Sequence, residues 1–285
     1  MVAGMTDAHS SPEPDNHNGT DTDPIDRIAV IRAEAQRFAD VLADTAPDAH
    51  CPTCPEWTAA DLLWHLTEVH TFWARILGGN VTSDEDADAV DKAAPERPGT
   101  MAEMLPVRAH ATESLLAQLQ ALDDAAPRWT WWPADQTVGF TRRMQTYEAT
   151  MHRVDAELAG GVAVSPIDAA VAAGAVDHCV DVMWGWLPDW AVYEPLTVAG
   201  ILATDSDYRC VVEVGHWTGT GPESGTAFDM WRAVRAQPDA TAAVTVTGPL
   251  QDLALWAWTR GGDVQIDGDP AGVAAVQALI DQGIK

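Results

Sequence analysis

Lysine is almost missing from this chain. Only Lys92 and Lys285 occur among 285 residues, and 16 basic residues face 43 acidic ones, for a net charge of −27. A surface that acidic repels phosphate backbones and anionic headgroups, which argues against nucleic acid or membrane as a main partner. Long apolar runs are absent too: none approaches the roughly 18 residues that a membrane span needs. Cysteine is scarce, with four residues, Cys51, Cys54, Cys179 and Cys210. Residues 1–22 lack the basic start and apolar stretch of a secretory signal. They are polar and acidic, and read as a disordered tail. The expectation is a cytoplasmic protein with reduced thiols.

What is present is enough for real cores. The chain is 47% hydrophobic and carries 13 tryptophans, and its length suits two ordinary domains. Apolar residues recur at helical spacing over residues 23–44, 59–77, 100–122 and 137–159. Thr58 is a fitting N-cap for the second of these, with Asp61 as its capping partner. Pro106 falls inside the third. Residues 81–99 read as a long acidic connection. Residues 168–187 read as one more helix leading out of the bundle. After Pro188 the texture changes to β-rich segments at 196–202, 208–214, 242–247 and 264–267, with helices over 249–260 and 270–282. The expected class is α+β: a helical bundle over 23–187 and a small α+β domain over 188–285.

Cys51-Pro52-Thr53-Cys54 has the C-x₂-C form, which admits a redox pair or half a zinc knuckle. No second C-x₂-C completes a four-thiolate site, and no strand precedes it. The favoured reading is a proline-bracketed turn leading into a helix.

Glu148 and His152 lie four apart, so on a helix their side chains leave the same face one turn from each other. With His65 from the second helix they make a set of two imidazoles and one carboxylate with a coordination position left open. That is the composition of a catalytic zinc site. The competing reading makes His65 and His152 hydrogen-bonded core histidines. His70 is five residues from His65, roughly 500° around a helix, and points away from it. Asp155 and Glu157 could each orient a ligand imidazole; an ion pair with Arg153 or a solvated carboxylate is the alternative.

Cys54-Pro-Glu-Trp-Thr-Ala-Ala-Asp-Leu-Leu-Trp-His-Leu66 resembles the second-helix signature of the mycothiol-dependent maleylpyruvate isomerase family, and His152-Arg-Val-Asp-Ala-Glu157 its fourth-helix signature. Gly248 to Arg260 is similar to the family's smaller C-terminal domain. The resemblance implies a DinB-like four-helix bundle in which His65, Glu148 and His152 hold a divalent metal, usually zinc. It further implies mycothiol, or a similar low-molecular-weight thiol, as cosubstrate. The metal-bound thiolate would attack a small electrophile, giving isomerisation or S-transfer. Arg260 is the expected catalytic group for an anionic substrate, with Arg232 and Arg235 as rivals. Two other classes stay open: a hydrolase using zinc-bound hydroxide, and a non-catalytic protein that holds metal or ligand.

Overall fold

The computed structural model describes residues 25–284 apart from Glu223 and Pro238. The expected tail over residues 1–22 lies outside the described residues. The chain divides into two compact units, with the break between Pro166 and Ile167. Among the described residues no helix is long and apolar enough to cross a membrane.

The first unit is all helical: α1 (Arg27–Ala43), α2 (Ala59–Gly78), α3 (Asp84–Lys92), α4 (Met101–Ala121) and α5 (Val138–Ala159). Four of these form the bundle, with α1 packed on α4 and α5, and α2 packed on α4 and α5. Local chemistry sets the helix starts. Thr58 caps α2 and Thr100 caps α4, each in a capping box, with Asp61 and Glu103 respectively reaching back to the cap. Pro106 is accommodated in the second turn of α4, where its missing N–H leaves the Ala102 carbonyl without an intrahelical donor. The end of α5 needs a glycine, because a Cβ on Gly160 would come within 2.8 Å of Val41 Cγ1 on α1.

Leu62, Leu63 and Leu66 on α2 are fully buried and join Phe38, Leu42 and Met104 in one core cluster. Each such leucine contributes about 1.5–3 kcal/mol relative to an exposed one. Helix α5 is unusual, for its buried face carries Thr141, Gln145, Thr150, Arg153, Asp155 and Glu157 among the apolar residues. Thr150, Arg153, Asp155 and Glu157 are hydrogen-bonded, whereas the Thr141 hydroxyl and the Gln145 amide have no partner among the described residues.

The second unit begins with α6 (Ala169–His178), which runs into a π-helical turn over Cys179–Met183. The helix read over 168–187 is thus shorter than expected, and α6 packs against α7 (Leu250–Ala257). Five strands follow: β1 (Val192–Ala203), β2 (Arg209–Thr220), β3 (Ala227–Arg235), β4 (Val244–Gly248) and β5 (Gln265–Gly268), ordered β3-β2-β1-β4-β5. The β1–β4 pair is parallel and the others antiparallel. Helix α8 (Pro270–Asp281) packs on the sheet. A helical unit followed by a mixed α+β unit is the architecture expected from the sequence.

Candidate metal centre

His65 sits in the second turn of α2, and Glu148 and His152 lie one turn apart on α5. One ligand atom from each of the three falls within 4.8 Å of the others. The His65 and His152 rings meet edge to face, with centroids 4.8 Å apart. His152 Nε2 lies 3.2 Å from Glu148 Oε2. Two donors bound to one zinc at about 2 Å cannot be more than about 4 Å apart. The α5 pair already meets that limit, and the whole set spans at most 4.8 Å. His152 is buried, whereas His65 and Glu148 are partly exposed, so one side of the cluster remains open to an incoming ligand.

The surroundings set which atoms face inward. Asp155, fully buried, holds His152 Nδ1 at 2.9 Å. That bond leaves Nε2 as the nitrogen turned toward Glu148 and His65. A carboxylate on the far nitrogen of a ligand imidazole is the usual support of a metal-binding histidine. Burial opposes a charge on His152, but the hydrogen bonds it donates to Asp155 and Glu148 outweigh it, and the pKa is raised to about 9. His65 moves the other way: burial first, then the neighbouring His152 charge, lower it to about 3. The arrangement attracts one positive charge to one place and keeps His65 a neutral donor.

The loop between α1 and α2 closes over this end of the bundle from two sides. Thr53 Oγ1 donates to Asp155 Oδ1 at 2.5 Å, so Asp155 braces His152 with one oxygen and the loop with the other. The Trp57 ring lies 4.5 Å from that of His65. Successive backbone bonds, Cys54 N to Cys51 O, Trp57 N to Cys54 O and Cys51 N to Trp57 O, coil the loop into this shape. Sequence reasoning missed Thr53 and Trp57 as neighbours of the site, although both lie in or beside the motifs it singled out.

Glu157 is placed elsewhere. Its carboxylate takes hydrogen bonds from Arg37, Arg153 and both the amide and hydroxyl of Ser165, and Arg153 in turn reaches Glu34. It ties α1 to α5 and braces no histidine. His70 bonds Thr112 on α4 through Nδ1 at 2.9 Å, facing away from His65 as the helical angle requires. Arg260 belongs to the second unit, past the end of α7, where Nη1 donates to the Trp258 carbonyl at 2.8 Å. Its rivals are engaged: Arg235 pairs with Asp177 and Asp181, and Arg232 donates to the Gly185 carbonyl and covers the Tyr193 ring.

Residues 28–157 match the family model described as the mycothiol maleylpyruvate isomerase N-terminal domain. Two solved structures resemble the chain as a whole. One is the crystal structure of the mycothiol-dependent maleylpyruvate isomerase, at 16% identity and a TM-score of 0.54, covering 86% of this chain and 94% of that one. The other is a histidine-to-alanine mutant of that enzyme, at 15% identity and a TM-score of 0.56 with the same coverage. At such identity the likeness is one of fold. No curated protein matches the chain.

Proposed function

We propose that His65, Glu148 and His152 hold a divalent metal, zinc by the nature of the donors, and that the protein uses it to activate a low-molecular-weight thiol against a small electrophile. The observation that carries this reading is the convergence of the three ligand atoms within 4.8 Å, with Asp155 braced behind one of them. Two imidazoles and one carboxylate fit zinc and leave room for a further ligand. When bound, such a metal lowers the pKa of a thiol and so presents a thiolate near neutral pH. The chain's residues supply the rest. Asp155 fixes the His152 ring, Trp57 limits water on the His65 side, and the partly exposed edge of Glu148 marks the approach for the thiol.

The family match supports mycothiol as that thiol and a cis-alkene dicarboxylate as the electrophile. Addition of the thiolate, rotation about the former double bond and elimination would give isomerisation; addition alone would give S-transfer. Arg260 is the proposed anchor for the substrate carboxylate. This reading also makes the protein cytoplasmic, where small thiols are kept reduced.

The test is elemental analysis of the purified protein together with consumption of maleylpyruvate in the presence and absence of mycothiol. The expected result is one metal per chain and turnover only with thiol, both lost in His152→Ala. Metal retained at full stoichiometry in that variant would defeat the ligand assignment. Metal-dependent hydrolysis without thiol would replace the thiol reading with the hydrolase one.

A further inference from the structure

The C-x₂-C motif has no part in the proposed chemistry, yet it lies against the support of the site. Neither Cys51 nor Cys54 is held in a disulfide. They occupy the ends of a turn closed by the Cys54 N to Cys51 O bond at 3.1 Å, with Pro52 presetting its first corner. The Cα atoms at the two ends of such a turn lie less than about 7 Å apart, the range a disulfide can span. The thiol of Cys54 hydrogen-bonds the sulfur of Cys51, so the two sulfurs already face each other. Cys51 is fully buried in the core cluster, whereas Cys54 is partly exposed. The pair is therefore graded, one sulfur reachable and the other held behind it.

Thr53 stands between the cysteines and connects them to the site. Its hydroxyl is 3.6 Å from Cys51 Sγ and donates to Asp155, which holds His152. Trp57, at the end of the same loop, packs on His65. Any change in the 51–54 turn thus reaches two of the three proposed ligands.

We propose that Cys51 and Cys54 are a redox-active dithiol that closes to a disulfide by exchange with a small-molecule disulfide, and that closure loosens the metal site through Thr53 and Trp57. The exchange balances in two steps. Cys54 gives up its proton to solvent and attacks one sulfur of the small disulfide, forming a mixed disulfide and releasing one thiolate. Cys51 then gives up its proton to solvent and attacks Cys54 Sγ, forming the internal bond and expelling the second thiolate; the two released protons reprotonate the two expelled thiolates. Two protein thiols are oxidised and one small disulfide is reduced to two thiols. The local chemistry suits these roles: in the dithiol the Cys54 thiol hydrogen-bonds Cys51 and holds it at about 6 against the effect of burial, and the partly exposed Cys54 is the sulfur that a small disulfide can reach. The remaining cysteines are unsuited, since burial pushes Cys179 well above 9.0 and Cys210 up to about 11. Closing the bond draws two sulfurs from hydrogen-bond distance to about 2.05 Å, which deprives the Thr53 hydroxyl of its sulfur neighbour and shifts its bond to Asp155. The second half of the proposal rests on the metal reading above.

The experiment treats the full chain with 2-hydroxyethyl disulfide, traps remaining thiols with iodoacetamide, and reads intact and peptide masses beside zinc affinity by chelator competition. The expected wild-type product lacks two hydrogens, located in the peptide bearing Cys51 and Cys54. Its zinc affinity should fall about tenfold or more, the usual effect of disturbing a ligand's outer support, and recover on reduction. Cys51→Ser should stop at a stable mixed disulfide on Cys54, and Cys54→Ser should not react at the motif. Wild-type protein in which Cys51 and Cys54 both remain alkylatable, or in which a mixed disulfide persists on Cys54, would overturn the dithiol. A closed disulfide with unchanged zinc affinity would overturn the coupling. Reduced protein that takes up no zinc would defeat the metal reading instead, and with it the coupling, while the masses still decide for or against the dithiol.

Discussion

Asp155 bonds His152 from three residues further along the same helix, with 2.9 Å between its Oδ2 and the ring Nδ1. One turn of α5 therefore carries a proposed ligand and its orienting carboxylate, while the other proposed α5 ligand, Glu148, lies one turn before. The expected consequence is that Asp155→Asn keeps the fold and the bond's geometry but lowers metal affinity by roughly 10–100-fold, because a neutral amide no longer raises the basicity of the ring. Chelator competition on the folded variant measures it; an unchanged affinity would mean that Asp155 serves only the packing of Thr53.

Glu148 is the sole carboxylate of the cluster and its side chain is 23% exposed. Glu148→Gln removes the charge at nearly constant shape, so the expected outcome is loss of bound metal with little change in thermal midpoint. The amide oxygen can still accept from His152 Nε2, which lies 3.2 Å from the carboxylate, so the metal-free fold should lose only about 1 kcal/mol. A large stability loss in metal-free protein would instead identify Glu148 as a structural partner of His152.

Glu157 gives a pH dependence separate from the metal. Burial alone would raise its pKa above the ordinary 4.5, but Ser165, Arg37 and Arg153 outweigh it and hold it at about 2. A folded-state pKa below the unfolded one means stability that is complete above about pH 4.5 and is lost as the pH falls toward 2. Urea midpoints taken across that window should fall for the wild type and fall less steeply for Glu157→Gln. At neutral pH the same variant should be less stable by several kcal/mol, on the order of 3–5 for a broken buried pair. Parallel pH curves for the two proteins would place the acid sensitivity in other carboxylates.

The bundle was legible because α1, α2, α4 and α5 each carry an apolar stripe and a recognisable cap. Helix α3 differs from the acidic connection expected over residues 81–99, since only Ala87 of its nine residues is buried and no stripe marks it; the cap Ser83 followed by Asp84, Glu85 and Asp86 is its sequence signal. Strand β3 leaves no clear sequence signal for a related reason. It is an edge strand with Ala233 as its one buried residue, so the two-residue alternation has little burial to express. The regular helix after Asp168 ends at His178 because the backbone slips there into a π-helical turn, which apolar periodicity does not register. At the site, Glu148, His152 and Asp155 follow from spacing on one helix, and His65 joins them through the bundle layout and the family resemblance of its helix. Thr53 and Trp57 come to the site only because the intervening loop folds back on itself, and no helical period encodes that.

Thr58 anchors the helix that carries His65, and its removal should show in two observables at once. Its hydroxyl accepts from the Asp61 amide at 3.3 Å and donates to the Asp61 carboxylate at 2.6 Å, while its own amide donates to the same carboxylate at 2.9 Å. Thr58→Ala deletes the side-chain bonds and should cost about 1 kcal/mol of stability. Asp61 reports the same event by charge. The Thr58 hydrogen bonds, followed by Arg97, hold its pKa at about 2 against an ordinary 3.8. In the variant the pKa should climb part of the way back, because the Thr58 hydroxyl is gone while the backbone amide and Arg97 remain, and an NMR titration of the Asp61 carboxyl would follow it. Metal affinity should hardly change, because Leu62, Leu63 and Leu66 on either side of His65 remain buried and keep α2 in register. A parallel loss of metal would show instead that the capping box, rather than the leucine packing, positions His65.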